Sequence, residues 1–115
     1  MNPQFKKGVL DLIVMMIVDQ KDVYGYELVR QVCEVIPVKE GTIYPLLKRM
    51  TNDHLFETYL EESTEGPPRK YYHITDKGKL VLTQLKHDWM ALSHKINQYI
   101  EGDSTHDDHL STYRN

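Results

Sequence analysis

The chain has 115 residues, 27% of them charged, and a formal net charge of −3. This length fits one domain with room for one projecting element. The acidic balance excludes a protein that coats nucleic acid through a generally basic surface, so any DNA contact must be local. The single cysteine, Cys33, excludes an intramolecular disulfide, offers no thiolate pair for a metal and indicates a cytoplasmic protein. We expect Cys33 to be a small core residue.

The first predicted element is a helix over residues 5–19, whose central run, 9–18, is apolar except for Asp11. Ten residues interrupted by a carboxylate cannot span a bilayer, so no membrane association is expected. Apolar side chains nearly encircle this helix. It must therefore be covered on two sides, which predicts packing on the next helices and on a second chain or another long helix.

A second helix is predicted over residues 24–35. Pro37 ends it, because a proline disfavours helical geometry in the residue before it. Leu28, Val32 and either Val35 or Ile36 form its inner stripe. A third predicted helix follows after a few residues. Two short helices joined in this way form a helix-turn-helix, in which the second helix usually reads DNA.

The third helix, the predicted recognition helix, covers residues 40–53. An apolar stripe at i, i+3, i+4 and i+7 predicts one buried face; it consists of Ile43, Leu46, Leu47 and Met50. The other side can hydrogen-bond, stack and neutralise phosphate. We assign to DNA binding Lys39, Gly41, Thr42, Tyr44, Pro45, Lys48, Arg49 and Asn52. Taken alone, this could be a surface helix whose polar side meets water. Proline is tolerated without strain only in a first helical turn, so the helix start and a kink at Pro45 stay open.

Two strands are predicted next, over residues 55–60 and 69–74, joined by a loop that contains glycine and two prolines. A hairpin directly behind a helix-turn-helix is a wing, here residues 55–74. Arg69 and Lys70 lie where the returning strand can meet a phosphate backbone. Three glutamates in the loop would be repelled by DNA, so the base of the wing is expected to make the contact. The winged helix-turn-helix domain is predicted over residues 1–75.

The last predicted helix covers residues 76–101 and carries a heptad seam. Spacings of 3, 4, 3, 4 and 3 relate Leu82, Leu85, Trp89, Leu92, Ile96 and Tyr99. This seam can fold onto its own domain. The apolar excess of the first helix favours a dimer instead, because pairing two chains covers both surfaces. Residues 102–115 lack periodicity and are predicted to be a disordered tail, to which no metal is assigned.

Three segments of the sequence resemble the PadR family of transcriptional regulators. They are residues 24–28 (YGYEL), residues 40–50 (EGTIYPLLKRM), and residues 69–72 (RKYY) with Ile74, Thr75 and Gly78. The resemblance covers residues 8 to 100, and the single C-terminal helix is similar to the smaller subfamily. It implies a mainly α fold with a small β-hairpin, in which a winged helix-turn-helix domain carries a long C-terminal dimerisation helix. It also implies a repressor that leaves its operator when an inducer binds.

Two positions depart from the family pattern. Relatives often carry Ser where Lys39 stands and Gly where His54 stands. Loss of the Ser cap can fray the start of the recognition helix, while Lys39 can gain a phosphate contact. His54 must accept a left-handed or otherwise adjusted backbone, at a cost of about 1 kcal/mol.

Together these features predict a homodimeric repressor of double-stranded operator DNA, a pseudo-palindrome with half-sites about 34 Å apart. The alternative is a winged-helix protein-interaction module without DNA affinity, which the acidic balance and the loop glutamates favour. No cofactor is predicted. An enzyme is not predicted either, because no nucleophile, base and oxyanion donor occur as a set.

An inducer site is predicted around Trp89, the only tryptophan. Two such side chains near a two-fold axis leave gaps and can border a flat aromatic cavity for a small aromatic or hydrophobic inducer. Met15 and Met16 would line it with adaptable surface, and His87 and Asp88 would offer polar contacts. The alternative is that Trp89 only packs the dimer core.

Overall fold

The computed structural model describes the backbone of residues 3–105 and the side chains of residues 9–102. Within residues 3–105, four helices and three strands follow one another. They are α1 (Pro3–Gln20), β1 (Val23–Tyr24), α2 (Gly25–Val35), α3 (Glu40–Asn52), β2 (Phe56–Glu61), β3 (Arg69–Ile74) and α4 (Asp76–Thr105). The mainly helical fold with a long C-terminal helix is confirmed.

The chain divides into two compact units, which we call the winged unit (Met1–Thr83) and the C-terminal unit (Gln84–Asn115). The division falls beyond the predicted boundary at residue 75, because the first turns of α4 pack within the winged unit. Leu82 is buried there. Residues 102–105 are helical rather than part of a disordered tail, and residues 106–115 lie outside the described residues. Within residues 3–105, no helix combines the length and apolar character needed to cross a membrane.

The sheet has three antiparallel strands in the order β1-β3-β2, where the sequence predicted only a hairpin. In the added pairing, Val23 lies opposite Tyr72 and Tyr24 opposite Tyr71. A strand of two residues is too short to show an alternation of apolar and polar side chains. The sequence therefore predicts Tyr24 as part of the following helix. The predicted hairpin is present: β2 and β3 pair from Phe56 opposite Ile74 to Glu61 opposite Arg69.

The core lies between the helices and one face of this sheet. The predicted stripe of α3 is buried, and Ile43, Leu47 and Met50 are almost fully enclosed. Phe56 of β2 is buried as well, in an edge-to-face contact with the ring of Tyr72, whose centre lies 6.2 Å away. Each such apolar side chain contributes about 1.5–3 kcal/mol when it is removed from water. The stripe therefore fixes which side of α3 faces inward.

In α2 the structure settles the open choice in the inner stripe. Ile36 is buried beside Leu28 and Val32, whereas Val35 is exposed. Cys33 is exposed too, so its assignment to the core was wrong. It follows the buried Val32 by one position, which turns its side chain away from the sheet, and its Sγ lies 3.3 Å from the carbonyl oxygen of Val38.

The recognition helix α3 begins at Glu40, and its N-cap, Lys39, provides no side-chain cap. Pro45 consequently lies beyond the first turn, so the backbone carbonyl of Gly41 receives no hydrogen bond from residue 45. Both residues are exposed, which leaves that carbonyl accessible to water.

The end of α3 depends on His54, which has a φ of 62°. This left-handed backbone confirms the adjustment expected where relatives carry Gly. It allows the amide of Leu55 to donate to the carbonyl of Met50 at 2.9 Å, which closes the helix. The hydroxyl of Thr75 donates to the carbonyl of His54 at 2.7 Å and holds the strained residue from outside.

The start of α4 packs tightly on Leu55, the residue that follows His54. Thr75 caps α4, because its hydroxyl accepts a hydrogen bond from the amide of Gly78 at 2.9 Å. A Cβ atom on Gly78 would lie 2.3 Å from the carbonyl oxygen of Leu55 and 2.7 Å from Cγ1 of Ile74. The first of these neighbours is backbone and cannot turn aside, so only glycine fits here.

We expect Gly78→Ala to destabilise the winged unit by about 1–3 kcal/mol, the usual cost of overpacking a core. Chemical denaturation followed by circular dichroism would measure it. Gly41→Ala is the matched control, because a Cβ there would meet nothing within 4 Å. It should raise stability by up to about 1 kcal/mol, since alanine favours helix more than glycine does. Equal effects of the two substitutions would contradict the close contact at Gly78.

Candidate nucleic-acid interface

The residues of α3 that the sequence assigned to DNA lie together on its exposed side. All eight are solvent-exposed; they are Lys39, Gly41, Thr42, Tyr44, Pro45, Lys48, Arg49 and Asn52. The buried stripe occupies the opposite side of the helix. This arrangement offers hydroxyl, amide and ammonium groups from one helix face, as contact with base edges and phosphates requires.

Lys39 and Lys48 are the available cations of this helix face. Among residues 9–102, neither ammonium group takes part in an ion pair, and both side chains are exposed. A phosphate could therefore approach either lysine without displacing a carboxylate. Arg49, on the same helix, differs from both lysines because it does form an ion pair.

Arg49 is engaged within the chain. Its Nη2 atom donates to Oδ2 of Asp11 in α1 at 2.9 Å, and the two side chains keep 53% and 36% of their surface exposed. The sequence assigned Arg49 to DNA binding as a cation on the flank of the recognition helix. It contained no signal for this partner, because Asp11 lies in a different helix and stands alone in an apolar run.

Tyr72 of β3 is a buried wing residue that lies close to a predicted wing cation. The Nζ atom of Lys70 lies 5.9 Å from the centre of the Tyr72 ring. Burial raises the pKa of Tyr72, and the nearby Tyr44 of α3 adds to the increase. Lys70, a predicted site residue, therefore lies beside a largely buried ring of the wing. Tyr72 was not among the predicted site residues, because its pattern in the sequence is that of an ordinary strand aromatic.

Arg69 lies on the other face of the sheet. Successive strand residues point to opposite faces, so Arg69 and Lys70 cannot act as one pair. The guanidinium carbon of Arg69 lies 5.0 Å from the centre of the Tyr24 ring. Arg69 also lines a shallow depression with Glu61, the last residue of β2, and with the loop glutamates Glu62 and Glu65. Arg69 thus lies among carboxylates, whereas Lys70 lies on the same face of the strand as the buried Tyr72.

Asp22, in the turn before β1, anchors the outer face of the wing. Its carboxylate accepts a hydrogen bond from the hydroxyl of Tyr59 at 2.7 Å and lies 2.7 Å from Nδ1 of His73. The Tyr59 bond, and then the His73 bond, lower the pKa of Asp22. Asp22 in turn raises the pKa of Tyr59 to about 12. At neutral pH the carboxylate is therefore charged and the phenol protonated. In the sequence, Asp22 belonged only to a polar break.

The predicted ligand residues fall in both units. Met15 is fully buried in the core of the winged unit, so its side chain cannot line an accessible cavity as predicted. Met16 is partly exposed. In the C-terminal unit Trp89 is exposed, and Nδ1 of His87 lies 3.6 Å from Oδ1 of Asp88.

The residues of the predicted dimer seam also fall in both units, and they differ in how exposed they are. Leu82 belongs to the core of the winged unit and is not available to a second chain. Leu85 is partly exposed. The remaining seam residues keep large exposed apolar surfaces; they are Trp89, Leu92, Ile96 and Tyr99. A row of this size within a single helix is uncommon on the surface of a monomer.

Comparison with known proteins places this architecture in a family. The family described as Transcriptional regulator PadR-like family matches residues 14–84. A PadR-like transcriptional regulator from Bacillus cereus is 44% identical, with a TM-score of 0.78 over 84% of this chain and 96% of its own. A PadR family transcription regulator from Clostridium difficile is 37% identical, with a TM-score of 0.73 over 80% of this chain and 98% of its own.

The protein is also similar to a relative with no described role. An uncharacterised protein X from Lysinibacillus sphaericus is 32% identical over 100 residues, which cover 84% of this chain and 92% of that protein. The family match takes in the helix-turn-helix, the wing and the start of α4. The chain therefore belongs to the PadR-like family of transcriptional regulators.

Proposed function

We propose that the protein is a cytoplasmic, homodimeric repressor that binds a pseudo-palindromic operator in double-stranded DNA, with α3 in the major groove. The observation that carries this proposal is the exposed side of α3, backed by its buried stripe. Tyr44 and Asn52 can hydrogen-bond with base edges, while Lys48 neutralises phosphate. Membership of a family of regulators supports the same function. We assign no catalytic activity to the chain.

The wing would add a backbone contact through Lys70. Its ammonium group lies 5.9 Å from the centre of the Tyr72 ring, at the base of the wing. The glutamates of the loop lie beyond β2 and would be held away from phosphate by repulsion. An acidic chain can therefore bind DNA through one local set of lysines.

Lys48→Ala should weaken DNA binding and reduce the slope of log affinity against log salt by about one unit, because one phosphate contact is lost. The probe is a DNA duplex that the wild-type protein enriches from a random-sequence pool. Fluorescence anisotropy over a series of salt concentrations gives the slope. Lys79→Ala is the control, since Lys79 is an exposed lysine outside the predicted interface.

Two outcomes would contradict the proposal. A Lys48→Ala protein with wild-type affinity and slope would show that α3 is not the reading helix. A wild-type protein that enriches no duplex would favour the alternative, a winged-helix interaction module without DNA affinity.

The dimer in this proposal forms through the apolar row of the C-terminal unit. Leu92 and Ile96 keep 56% and 48% of their surface exposed in the single chain. Their heptad spacing is that of residues that pack between paired helices. The partly apolar surface of α1 would contribute as well, since Ile13, Met16 and Ile17 are only half-buried.

Leu92→Asp should convert the dimer to a monomer that remains folded. A carboxylate at a desolvated interface costs several kcal/mol, whereas at an exposed site of the single chain it costs little. Sedimentation velocity at micromolar concentration would measure the state, and circular dichroism the helix content. His94→Asp, which adds the same carboxylate at an exposed position opposite the seam, should stay dimeric. A wild-type protein that sediments as a monomer would overturn the dimer.

The inducer in this proposal is a small aromatic or hydrophobic compound that contacts Trp89, with His87 and Asp88 of the same unit at the edges of its site. Because Trp89 is the only tryptophan, its fluorescence reports this position alone. Titration with planar aromatic compounds should give saturable quenching together with release of the selected duplex. Trp89→Phe should still bind DNA but respond less to the compound. Unsaturable quenching, with DNA affinity unchanged across a broad panel, would leave Trp89 a packing role only.

A further inference from the structure

The ion pair between Asp11 and Arg49 joins the first helix of the winged unit to the recognition helix. The two atoms in contact, Nη2 of Arg49 and Oδ2 of Asp11, lie 2.9 Å apart. This is the usual distance for a charge-assisted hydrogen bond, in which a guanidinium holds its partner in a defined direction. Both side chains are partly exposed, so solvent screens the pair and its effect on overall stability is small.

Arg49 lies at the edge of the exposed side of α3, between the exposed Lys48 and the buried Met50. Apolar contacts are non-directional, so the buried stripe alone fixes the rotation of α3 about its axis only approximately. A directed polar contact at the edge of the stripe can fix that rotation. Arg49 makes a directed contact of this kind with Asp11 of α1.

We propose that Arg49 is a positioning residue for DNA recognition: through Asp11 it holds α3 at the rotation at which Tyr44 and Lys48 meet DNA. The inference rests on the proposed DNA-binding function. It replaces the phosphate contact that the sequence assigned to Arg49.

The two roles of Arg49 predict opposite effects when Asp11 is neutralised. If Arg49 bound a phosphate, the Asp11 carboxylate would compete with that phosphate and repel it. Removing the charge of Asp11 would then strengthen DNA binding. If Arg49 positions α3 through Asp11, removing the charge releases the helix and weakens binding.

The experiment measures affinity and salt dependence for Asp11→Asn, Arg49→Ala and the exchanged pair Asp11→Arg with Arg49→Asp. The probe is the duplex enriched by the wild-type protein. Each single change should weaken binding about twofold to fivefold, the range that an exposed ion pair contributes, and leave the salt slope unchanged. The exchanged pair should recover most of this loss. Lys48→Ala is the matched control on the next residue, because it should reduce the slope.

Rescue by the exchanged pair is a readout that a general loss of packing would not give. Tighter binding by Asp11→Asn, with a slope reduced by about one unit in Arg49→Ala, would make Arg49 a phosphate contact and overturn the inference alone. Unchanged affinity in both single variants would also overturn it alone. A wild-type protein that enriches no duplex would overturn it together with the proposed function.

Discussion

The burial of one side of α3 is the constraint on which the rest of this structure depends. Ile43, Leu47 and Met50 are enclosed between the other helices and the sheet, and this placement determines what the opposite side presents. Tyr44 and Lys48 are exposed because they alternate with the stripe along the helical repeat. The polar face that would read DNA is thus a consequence of hydrophobic packing, and a change in the stripe would rotate or release the whole face.

The end of α3 ties that packing to the rest of the chain through the backbone of Leu55. Its amide closes α3 on Met50, and its carbonyl accepts a hydrogen bond from the amide of Thr75 at 3.0 Å. The same carbonyl is the nearest neighbour of Gly78. The recognition helix, the base of the wing and the start of α4 therefore meet at one residue. The left-handed His54 is tolerated here because these bonds fix the backbone on both sides of it.

The sequence predicted the elements in which apolar side chains recur at a regular spacing, and it missed the element that shows no such spacing. A stripe such as Ile43 to Met50 has a period that local chemistry imposes, so its helix and its buried face were both predicted correctly. β1 has two residues and shows no period. Its strand geometry comes from pairing with β3, a contact between distant segments.

The side-chain contacts of the candidate site were not predicted either, because they join residues that are distant in the sequence. Arg49 and Lys48 are equivalent in sequence terms, since both are cations on the outer part of one helix. They differ only because Asp11 lies beside one of them in the folded chain. Asp22 gained its role in the same way, when folding brought Tyr59 and His73 to one carboxylate. Such long-range contacts leave no periodic signal.

The chemistry of the basic side chains explains how the five predicted cations divide. Both arginines are held by their own chain: Arg49 by a carboxylate and Arg69 over the ring of Tyr24. A planar guanidinium is suited to both contacts, because it can bond directionally at its edge and stack on its face. An ammonium group is compact and strongly hydrated, so lysines stay in solvent, as Lys39 and Lys48 do. In this fold both arginines are thus held within the chain, and Lys70 lies near the ring of Tyr72. Lys39 and Lys48 are the predicted cations that a phosphate could reach without breaking a contact of this kind.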